Sequence, residues 1–318
     1  MKAAYHRSQG GLQVLQVGDL PVPLPESTEV LIRVRATSLD RVDIFTRGGS
    51  HGMTITGDHI GGRDVAGEVV ARGDEVSGIE IGDAVLAATH RAHAEFAVAP
   101  SALTLPIPSS LSFEAAAALP TAGRSAWAAL IDRARVQAGE TVLVTAVSSG
   151  VGSYALQIAQ AAGARVIATA GSARKRAQAL ELGAAAAIDH YRDDVRQQIL
   201  EATDGAGVDV VCDHVGAPLW KACITTLRPW GRFVTTGVTA GHRAELHLGQ
   251  VFLKGITITG IGRPSQDQIR RHLSDLLAAV ASGTVRPIVA ATFSLDEIAR
   301  AHELMERGDF FGKIIIRP

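Results

Sequence analysis

The chain has 318 residues, 47% hydrophobic and 20% charged, which is enough for two domains with sizeable cores. Its 31 basic and 32 acidic residues give a net charge of −1 without a long basic block, which argues against nucleic-acid or membrane-surface binding. It has no signal-like apolar start, no run of about 18 apolar residues and only two cysteines, so we expect a reduced, cytoplasmic protein.

Short strands are predicted for the first part of the chain. Apolar residues alternate around Val30, Ile32 and Val34, and further β-type runs up to about residue 100 are broken by Gly, Asp and Pro. This pattern predicts a β-rich domain in the form of a partly closed barrel.

From about Leu111 the pattern changes to helices that alternate with strands until about residue 262. Such alternation predicts a parallel, doubly wound sheet. In the tail, Ser265 with Gln268 and Ser294 with Glu297 have capping-box spacing, so each pair predicts a helix start. The predicted strands are 141–147, 165–169, 208–212, 231–236 and 256–260, with a last strand at 313–316.

The segment 141–169 has the layout of a dinucleotide-binding strand–turn–helix–strand unit. An apolar run enters the small-residue turn 148–152, and a helix with an apolar face follows. Free N–H groups and the positive end of the helix would meet a pyrophosphate. The strict glycine fingerprint fails at Val147 and Ser149, so the prediction rests on the whole unit.

The residues after the second strand of this unit favour NADP(H) over NAD(H). An NAD site usually has an acid about 20 residues after the turn, to hold the ribose 2′-hydroxyl. Here the sequence is Ala-Gly-Ser at 170–172, followed by Arg174, Lys175 and Arg176. A hydroxyl and three cations suit a 2′-phosphate. The alternative is a solvated basic helix face, although cations are unfavourable at a helix N-terminus.

Several motifs, in order and along nearly the whole chain, resemble the medium-chain dehydrogenase/reductase superfamily, in its zinc-free quinone oxidoreductase and enoyl reductase-like branch. They include SLDRVDIFTRGG (38–49), GRDVAGEVV (62–70), ALPTAGRSAW (118–127), VLVTAVSSGVG (142–152) and GVDVVCDHVG (207–216). The resemblance implies an α/β protein. A GroES-like β-barrel catalytic domain (1–118 and 263–318) would accompany a Rossmann domain (119–262), with the active site in the cleft between them.

The resemblance also assigns cofactor contacts, residue by residue. Two of these residues have an alternative role that involves no cofactor: Lys313 as a charge at a strand end and Tyr191 as a packed surface ring. The implied contacts are Ser149, Gly150, Val151 and Gly152 at the pyrophosphate; Gly171, Ser172, Lys175 and Tyr191 at the 2′-phosphate; and Gly237, Val238, Thr239, Gly260, Ile261, Gly262 and Lys313 towards the nicotinamide end.

No metal is expected. Zinc-dependent relatives have a cysteine near position 40 and a His-Glu pair near 63–64, where this chain has Asp40, Arg63 and Asp64. The thiolate and imidazole that zinc favours are therefore missing. The four-cysteine lobe of relatives with a structural zinc is missing as well.

Asp40, Asp43 and Ser125 are the candidate catalytic residues. Ser125 matches a hydroxyl near the nicotinamide amide, and the two acids organise water or supply a proton, or are structural hydrogen-bonding groups. Arg124 stands where relatives usually have an apolar residue, and it faces either a polar acceptor or a surface acid.

The resulting hypothesis is an NADPH-dependent, zinc-independent reductase that transfers hydride to a quinone or an α,β-unsaturated carbonyl. The alternatives are a non-catalytic NADPH-binding protein and, less favoured, a zinc alcohol dehydrogenase. The apolar, β-branched segment 255–261 is a candidate edge strand, so we also predict a homodimer.

Overall fold

A computed structural model describes residues 1–318 and contains sixteen strands and ten α-helices. The strands are β1 (Lys2–His6), β2 (Gln16–Asp19), β3 (Glu29–Leu39), β4 (His59–Ile60), β5 (Asp64–Arg72), β6 (Ala84–Ala88), β7 (Phe96–Pro100), β8 (Thr104–Pro106), β9 (Thr141–Val144), β10 (Arg165–Ala170), β11 (Ala186–Asp189), β12 (Val208–Asp213), β13 (Leu227–Thr235), β14 (Thr257–Gly260), β15 (Val289–Ser294) and β16 (Lys313–Arg317).

The α-helices lie mostly between the later strands, and the first of them follows β3 directly. They are α1 (Arg41–Gly48), α2 (Phe113–Ala117), α3 (Pro120–Trp127), α4 (Gly150–Ala161), α5 (Ala173–Glu181), α6 (Val195–Glu201), α7 (Ala217–Thr226), α8 (Leu248–Lys254), α9 (Gln266–Ala281) and α10 (Ile298–Arg307). None of them combines the length and the apolar character needed to cross a membrane.

The first unit consists of residues 1–121, 265–281 and 287–318. Its larger sheet has the order β15-β16-β3-β5-β6-β8, and β7 also pairs with β3. Its smaller sheet has the order β2-β1-β4. The alternation seen in β3 buries Val30, Ile32 and Val34 in a valine-rich core, as the sequence predicts. The C-terminal strand β16 pairs antiparallel with β3, so the tail belongs to this unit.

The second unit consists of residues 122–264 and 282–286. Its sheet is parallel throughout, in the order β11-β10-β9-β12-β13-β14. Numbered within the unit, this is 3-2-1-4-5-6, the order of a doubly wound nucleotide-binding fold. The chain reverses its direction of progress beside β9, and all strands end at one edge, where such folds bind ligands. The prediction of a parallel, doubly wound sheet is confirmed.

The predicted elements differ from the structure at three places. Strand β11 was not predicted, because its sequence AAID is short and rich in alanine. Strand β9 ends at Val144 and not at Val147, since Ala146 has a φ of 42° and begins the turn. Strand β13 begins four residues before 231, and its pairing with β12 contains a register irregularity.

Both predicted capping boxes are confirmed. The Gln268 side chain accepts from the Ser265 N–H at 2.9 Å, and the Ser265 hydroxyl accepts from the Gln268 N–H at 3.2 Å. The second pair is equally reciprocal, although Ser294 and Glu297 enclose a short 3-10 turn before α10 begins.

Candidate functional site

The turn between β9 and α4 is built around one hydroxyl and one glycine. The Ser149 hydroxyl accepts the Gly152 N–H at 2.9 Å and so caps α4. A Cβ at Gly152 would lie 2.7 Å from the Ala146 carbonyl oxygen and from the Val147 Cα. Only glycine allows this approach of helix and strand.

The start of α4 offers hydrogen-bond donors to a ligand. An α-helix has no internal partner for its first N–H groups, and Ser149 satisfies only that of Gly152. The N–H groups of Gly150 and Val151 therefore open at the sheet edge, at the positive end of a 12-residue helix. This donor set fits the pyrophosphate of a dinucleotide.

The neighbouring strand end carries the residues predicted to surround a second phosphate. Ser172 caps α5 by accepting the Lys175 N–H. The ring of Tyr191 lies over Gly171, where a Cβ would come within 2.2 Å of its Cε2 atom, and the Tyr191 side chain remains 80% exposed. The structure thus brings Gly171, Ser172 and Lys175 together beside the flat ring of Tyr191.

One of the three predicted cations is already paired. An Arg176 Nη1 donates to Asp189, at the end of β11, over 2.7 Å. The Tyr191 N–H and Arg176 together hold the pKa of Asp189 below its usual value. Sequence analysis missed Asp189 because β11 itself was missed. The charge of Arg176 is thereby neutralised locally, and Arg174 and Lys175 lie in the first turn of α5.

The loops after β12, β13 and β14 are bound to one another at the same edge. Both the N–H and the hydroxyl of Thr239 donate to the carbonyl of His214 at 3.0 Å. The Ile261 N–H donates to the last residue of β13. The two predicted stretches 237–239 and 260–262 therefore lie at the carboxyl ends of β13 and β14, at the same sheet edge as the turn at 148–152.

Sequence analysis also missed Asp213 and His214. The Asp213 carboxylate accepts the Thr145 hydroxyl at 2.7 Å and the Gly216 N–H at 2.9 Å, which fixes the loop after β12. Burial raises the pKa of Asp213, and these hydrogen bonds oppose the increase. The His214 Nε2 lies 2.8 Å from the Ser149 Oγ. The sequence did contain a signal for these two residues. They stand in CDHVG at the end of an apolar strand, and in such folds the ends of the strands border the ligand.

The first unit contains a buried cluster of opposite charges. The Lys313 ammonium donates to Asp40 at 2.5 Å and to Asp64 at 3.5 Å. Asp64 is fully buried and also accepts the Ser38 hydroxyl at 2.6 Å and the Thr121 hydroxyl at 2.6 Å. Lys313, predicted to lie near the cofactor, is thus held by carboxylates of its own unit, and its contact with a cofactor stays a prediction.

Asp43 binds backbone groups. Its carboxylate accepts the Asp40 N–H at 2.8 Å and the Gly62 N–H at 3.0 Å, which ties the start of α1 to the segment before β5. This arrangement matches the structural alternative for Asp43, and it also fixes the backbone of Asp40.

The cluster changes the proton affinity of its members. Burial raises the pKa of Asp40 to about 7, with Lys313 opposing and Asp64 and Asp43 adding to the increase. Burial by itself would lower the pKa of Lys313, but Asp40 and Asp64 raise it above its ordinary value. Asp40 can therefore hold or release a proton near neutral pH, while Lys313 keeps its charge.

No group of three or more His, Cys, Asp or Glu side chains is arranged to hold a metal ion. At the positions where zinc-dependent relatives place ligands, Asp40 and Asp64 face the Lys313 ammonium. Ser125, the third candidate catalytic residue, is buried in α3 of the second unit.

The chain matches two family models and is similar over its full length to known proteins. "Alcohol dehydrogenase GroES-like domain" matches residues 26–109, and "Zinc-binding dehydrogenase" matches residues 150–279. The quinone oxidoreductase of Rattus norvegicus is 31% identical over 96% of this chain and 94% of its own.

Two solved structures are similar over the whole of both chains. The Escherichia coli quinone oxidoreductase, solved with NADPH, is 28% identical with a TM-score of 0.92. A protein described as an NAD-dependent alcohol dehydrogenase is 33% identical with a TM-score of 0.91. The chain therefore belongs to the medium-chain dehydrogenase/reductase superfamily, in its quinone oxidoreductase branch.

Proposed function

We propose that this protein is an NADPH-dependent, zinc-independent reductase that transfers hydride to a quinone or an α,β-unsaturated carbonyl acceptor. The observation that carries the proposal is the sheet edge of the second unit. There the phosphate-binding turn is followed by Ser172 and a basic helix start, without an acid at the end of β10. The proposed domains are 1–118 with 263–318 for catalysis and 119–262 for NADP(H).

The preference for NADPH follows from the surroundings of the second phosphate. Ser172 caps α5, and Arg174 and Lys175 lie in the first turn of this helix. The exposed ring of Tyr191 lies beside them. Asp189 is the acid of this region, but its carboxylate is occupied by Arg176 and by the Tyr191 N–H. The similar E. coli protein was solved with NADPH, which supports this preference, and NADH is the competing cofactor to test because another similar structure is described as NAD-dependent.

Bound NADPH would supply a hydride to the electron-poor carbon of the acceptor. The residues of the chain bind the cofactor and orient its nicotinamide end. Ser149, Gly150 and Val151 hold the pyrophosphate, the loops at 237–239 and 260–262 border the nicotinamide end, and Ser125 offers a hydroxyl there. Acceptors of this class need no metal, because the anion formed on reduction delocalises onto oxygen.

Zinc independence is supported by the charges of the first unit. Asp40 and Asp64 already face the Lys313 ammonium, which offsets one of their two charges and would repel a divalent cation bound beside it. Neither is one of the thiolate or imidazole ligands that zinc favours. The reductase should therefore keep its activity after treatment with a chelator, and a parallel loss of activity and metal would support a zinc alcohol dehydrogenase.

Burial raises the pKa of Asp40 to about 7, so Asp40 is the proton donor that we propose for the first unit. We still assign most of the catalysis to positioning, so Asp40→Asn and Asp43→Asn should each keep more than about a tenth of kcat. A loss of about a thousandfold in either variant would show an acid–base or orienting role that positioning does not cover.

The test of the function is oxidation of NADPH in the presence of quinones, enones and enoyl thioesters, with NADH as the control. Lys175→Ala should weaken NADPH binding about tenfold or more and leave NADH unchanged, because it removes a charged partner of the 2′-phosphate. Preferred use of NADH by the wild type would contradict the cofactor assignment. Tight NADPH binding without turnover of any acceptor would favour a non-catalytic binding protein.

A homodimer is proposed from the end of the parallel sheet. Strand β14 has no further neighbour there, and large apolar side chains are exposed on β13 and α8: Trp230, Leu248, Phe252 and Leu253. Pairing of two copies would cover this surface. Light scattering should give a dimer mass for the wild type and a monomer mass for Phe252→Asp with Leu253→Asp. A monomeric wild type would contradict the proposal.

We also propose a cytoplasmic location. Cys212 and Cys223 are both unpaired and buried, and burial raises the pKa of the Cys212 thiol to about 12, which suits two inert thiols in a reducing compartment.

A further inference from the structure

We propose that His214 is a positioning residue that turns the Ser149 hydroxyl towards the pyrophosphate of the bound dinucleotide. This inference rests on the proposed function and adds to it a residue to which the family resemblance assigns no contact. It starts from one contact, the 2.8 Å between the His214 Nε2 and the Ser149 Oγ.

The Ser149 hydroxyl has a limited set of hydrogen bonds. It has one proton to donate and two lone pairs that accept. The Gly152 N–H occupies one lone pair at 2.9 Å. If the His214 Nε2 carries a proton, it occupies the second lone pair, and the hydroxyl proton is left for a ligand. If Nε2 is unprotonated, Ser149 donates to it and has no proton left for a ligand.

An anionic ligand selects between these two arrangements. Pyrophosphate oxygens only accept hydrogen bonds, and the N–H groups of Gly150 and Val151 already direct them to this turn. A ligand oxygen at the turn is therefore satisfied best when Nε2–H donates to Ser149 and Ser149 donates onward. His214 then sets the direction of the hydroxyl without itself touching the ligand.

The fold holds the His214 ring in place for this task. The residue is 7% exposed. Its N–H donates to the Thr145 hydroxyl, its carbonyl accepts twice from Thr239, and the preceding Asp213 clamps the N–H groups that follow. The imidazole is thus presented from a loop that is fixed on both sides, at the strand next to the one that leads into the turn.

The test measures NADPH dissociation constants of the full-length protein by fluorescence titration. His214→Phe keeps the ring shape but has no donor, so it should weaken NADPH binding about five- to tenfold. His214→Gln places an amide near the position of Nε2 and should restore binding to within about twofold of wild type. His214→Asn is too short to reach Ser149 and should lose as much as Phe, which keeps the test valid if the Phe variant does not fold.

A double-mutant cycle separates positioning from a general structural role. In the Ser149→Ala background, His214→Phe should have no further effect, because its action passes through the missing hydroxyl. Ser153→Ala removes a hydroxyl one turn further along α4, which donates to the Gly150 carbonyl, and is the matched control with unchanged NADPH affinity. Additive losses from Ser149→Ala and His214→Phe would overturn the inference.

A ligand control completes the experiment. 2′-AMP has the adenosine and the 2′-phosphate but no pyrophosphate, so its competition against NADPH should show the same 2′-AMP affinity in wild type and His214→Phe. Equal NADPH affinity in these two proteins would overturn the role of His214 and leave the proposed function intact. Failure of the wild type to bind NADPH would instead overturn the proposed function.

Discussion

The two units build their polar sites from different materials. At the sheet edge of the second unit, the groups come from the ends of successive strands, and the helix geometry aims the backbone N–H groups. In the first unit, the cluster consists of charged side chains, and Lys313 donates to Asp40 across 273 positions of sequence. Ligand binding at the site made of backbone groups should depend on steric fit. The stability of the cluster made of buried charges should depend on each charged partner being present.

The largest expected effect is the loss of one buried charge in the first unit. Asp64→Ala leaves the Lys313 ammonium with a single carboxylate and two hydroxyls without their acceptor. Breaking a buried ion pair in this way costs about 3–5 kcal/mol of the free energy of unfolding. Urea denaturation of the full chain measures it.

The matched control is an exposed ion pair of the same unit. Lys2 and Asp296 lie 2.6 Å apart, with side chains 41% and 63% exposed. Asp296→Ala should cost less than about 1 kcal/mol, because solvent screens the pair. Equal losses from Asp64→Ala and Asp296→Ala would contradict the view that burial gives the cluster its importance.

The next effect tests the backbone-built site. Gly152→Ala places a Cβ against backbone atoms on the other side of the turn, which have no flexible side chain to move away. Overpacking of this kind costs about 1–3 kcal/mol of stability and displaces the turn, so NADPH should bind at least about fivefold more weakly. Titration with NADPH measures this. Gly139→Asn, in an open left-handed turn at the opposite edge of the sheet, is the control with unchanged affinity.

A pH-dependent effect is expected from one buried histidine of the first unit. Burial, with help from His93 and Arg47, lowers the pKa of His302 to about 2 from an ordinary value of 6.5. At this residue the unfolded chain therefore binds one proton more than the folded chain below pH 6.5, so the contribution of His302 to stability falls as the pH falls, by about 1.4 kcal/mol per pH unit.

His302→Asn should remove this contribution while its Oδ1 still accepts from Arg47, which lies 3.2 Å from Nδ1 in the wild type. Between about pH 6.5 and 5, the acid-induced loss of unfolding free energy should shrink by about 2 kcal/mol. Urea titrations at several pH values measure the difference. An unchanged pH dependence would show that His302 does not stay neutral in the folded protein.

The smallest effect compares the two edges of the parallel sheet. At the amino edge, Arg232 forms a two-point contact with Glu140 at 2.8 Å and 2.6 Å. Arg232→Ala should cost about 0.5–1 kcal/mol of stability and leave NADPH affinity unchanged. A substantial loss of NADPH affinity would show that NADPH binding at the carboxyl edge depends on the ion pair at the amino edge.

Local sequence was sufficient where one element determines the geometry. The turn at 148–152, both capping boxes and the alternation of β3 were predictable because each depends on residues a few positions apart. Strand β11 was not, since four residues of AAID carry no period, and its strand character comes from pairing with β10. For the same reason the sequence did not predict the ion pair between Asp189, at the end of β11, and Arg176.

The sequence by itself determined the alternation of strands and helices apart from β11, the small-residue turn at 148–152 and the basic start of α5. Only the tertiary structure decided that Lys313 faces Asp40 and Asp64, that Arg176 is paired, and that His214 reaches Ser149. The physical reason is the range of the interactions. Helix caps and strand periodicity are set by neighbours in the chain, whereas the partner of a buried charge or imidazole depends on which strands the sheet places side by side.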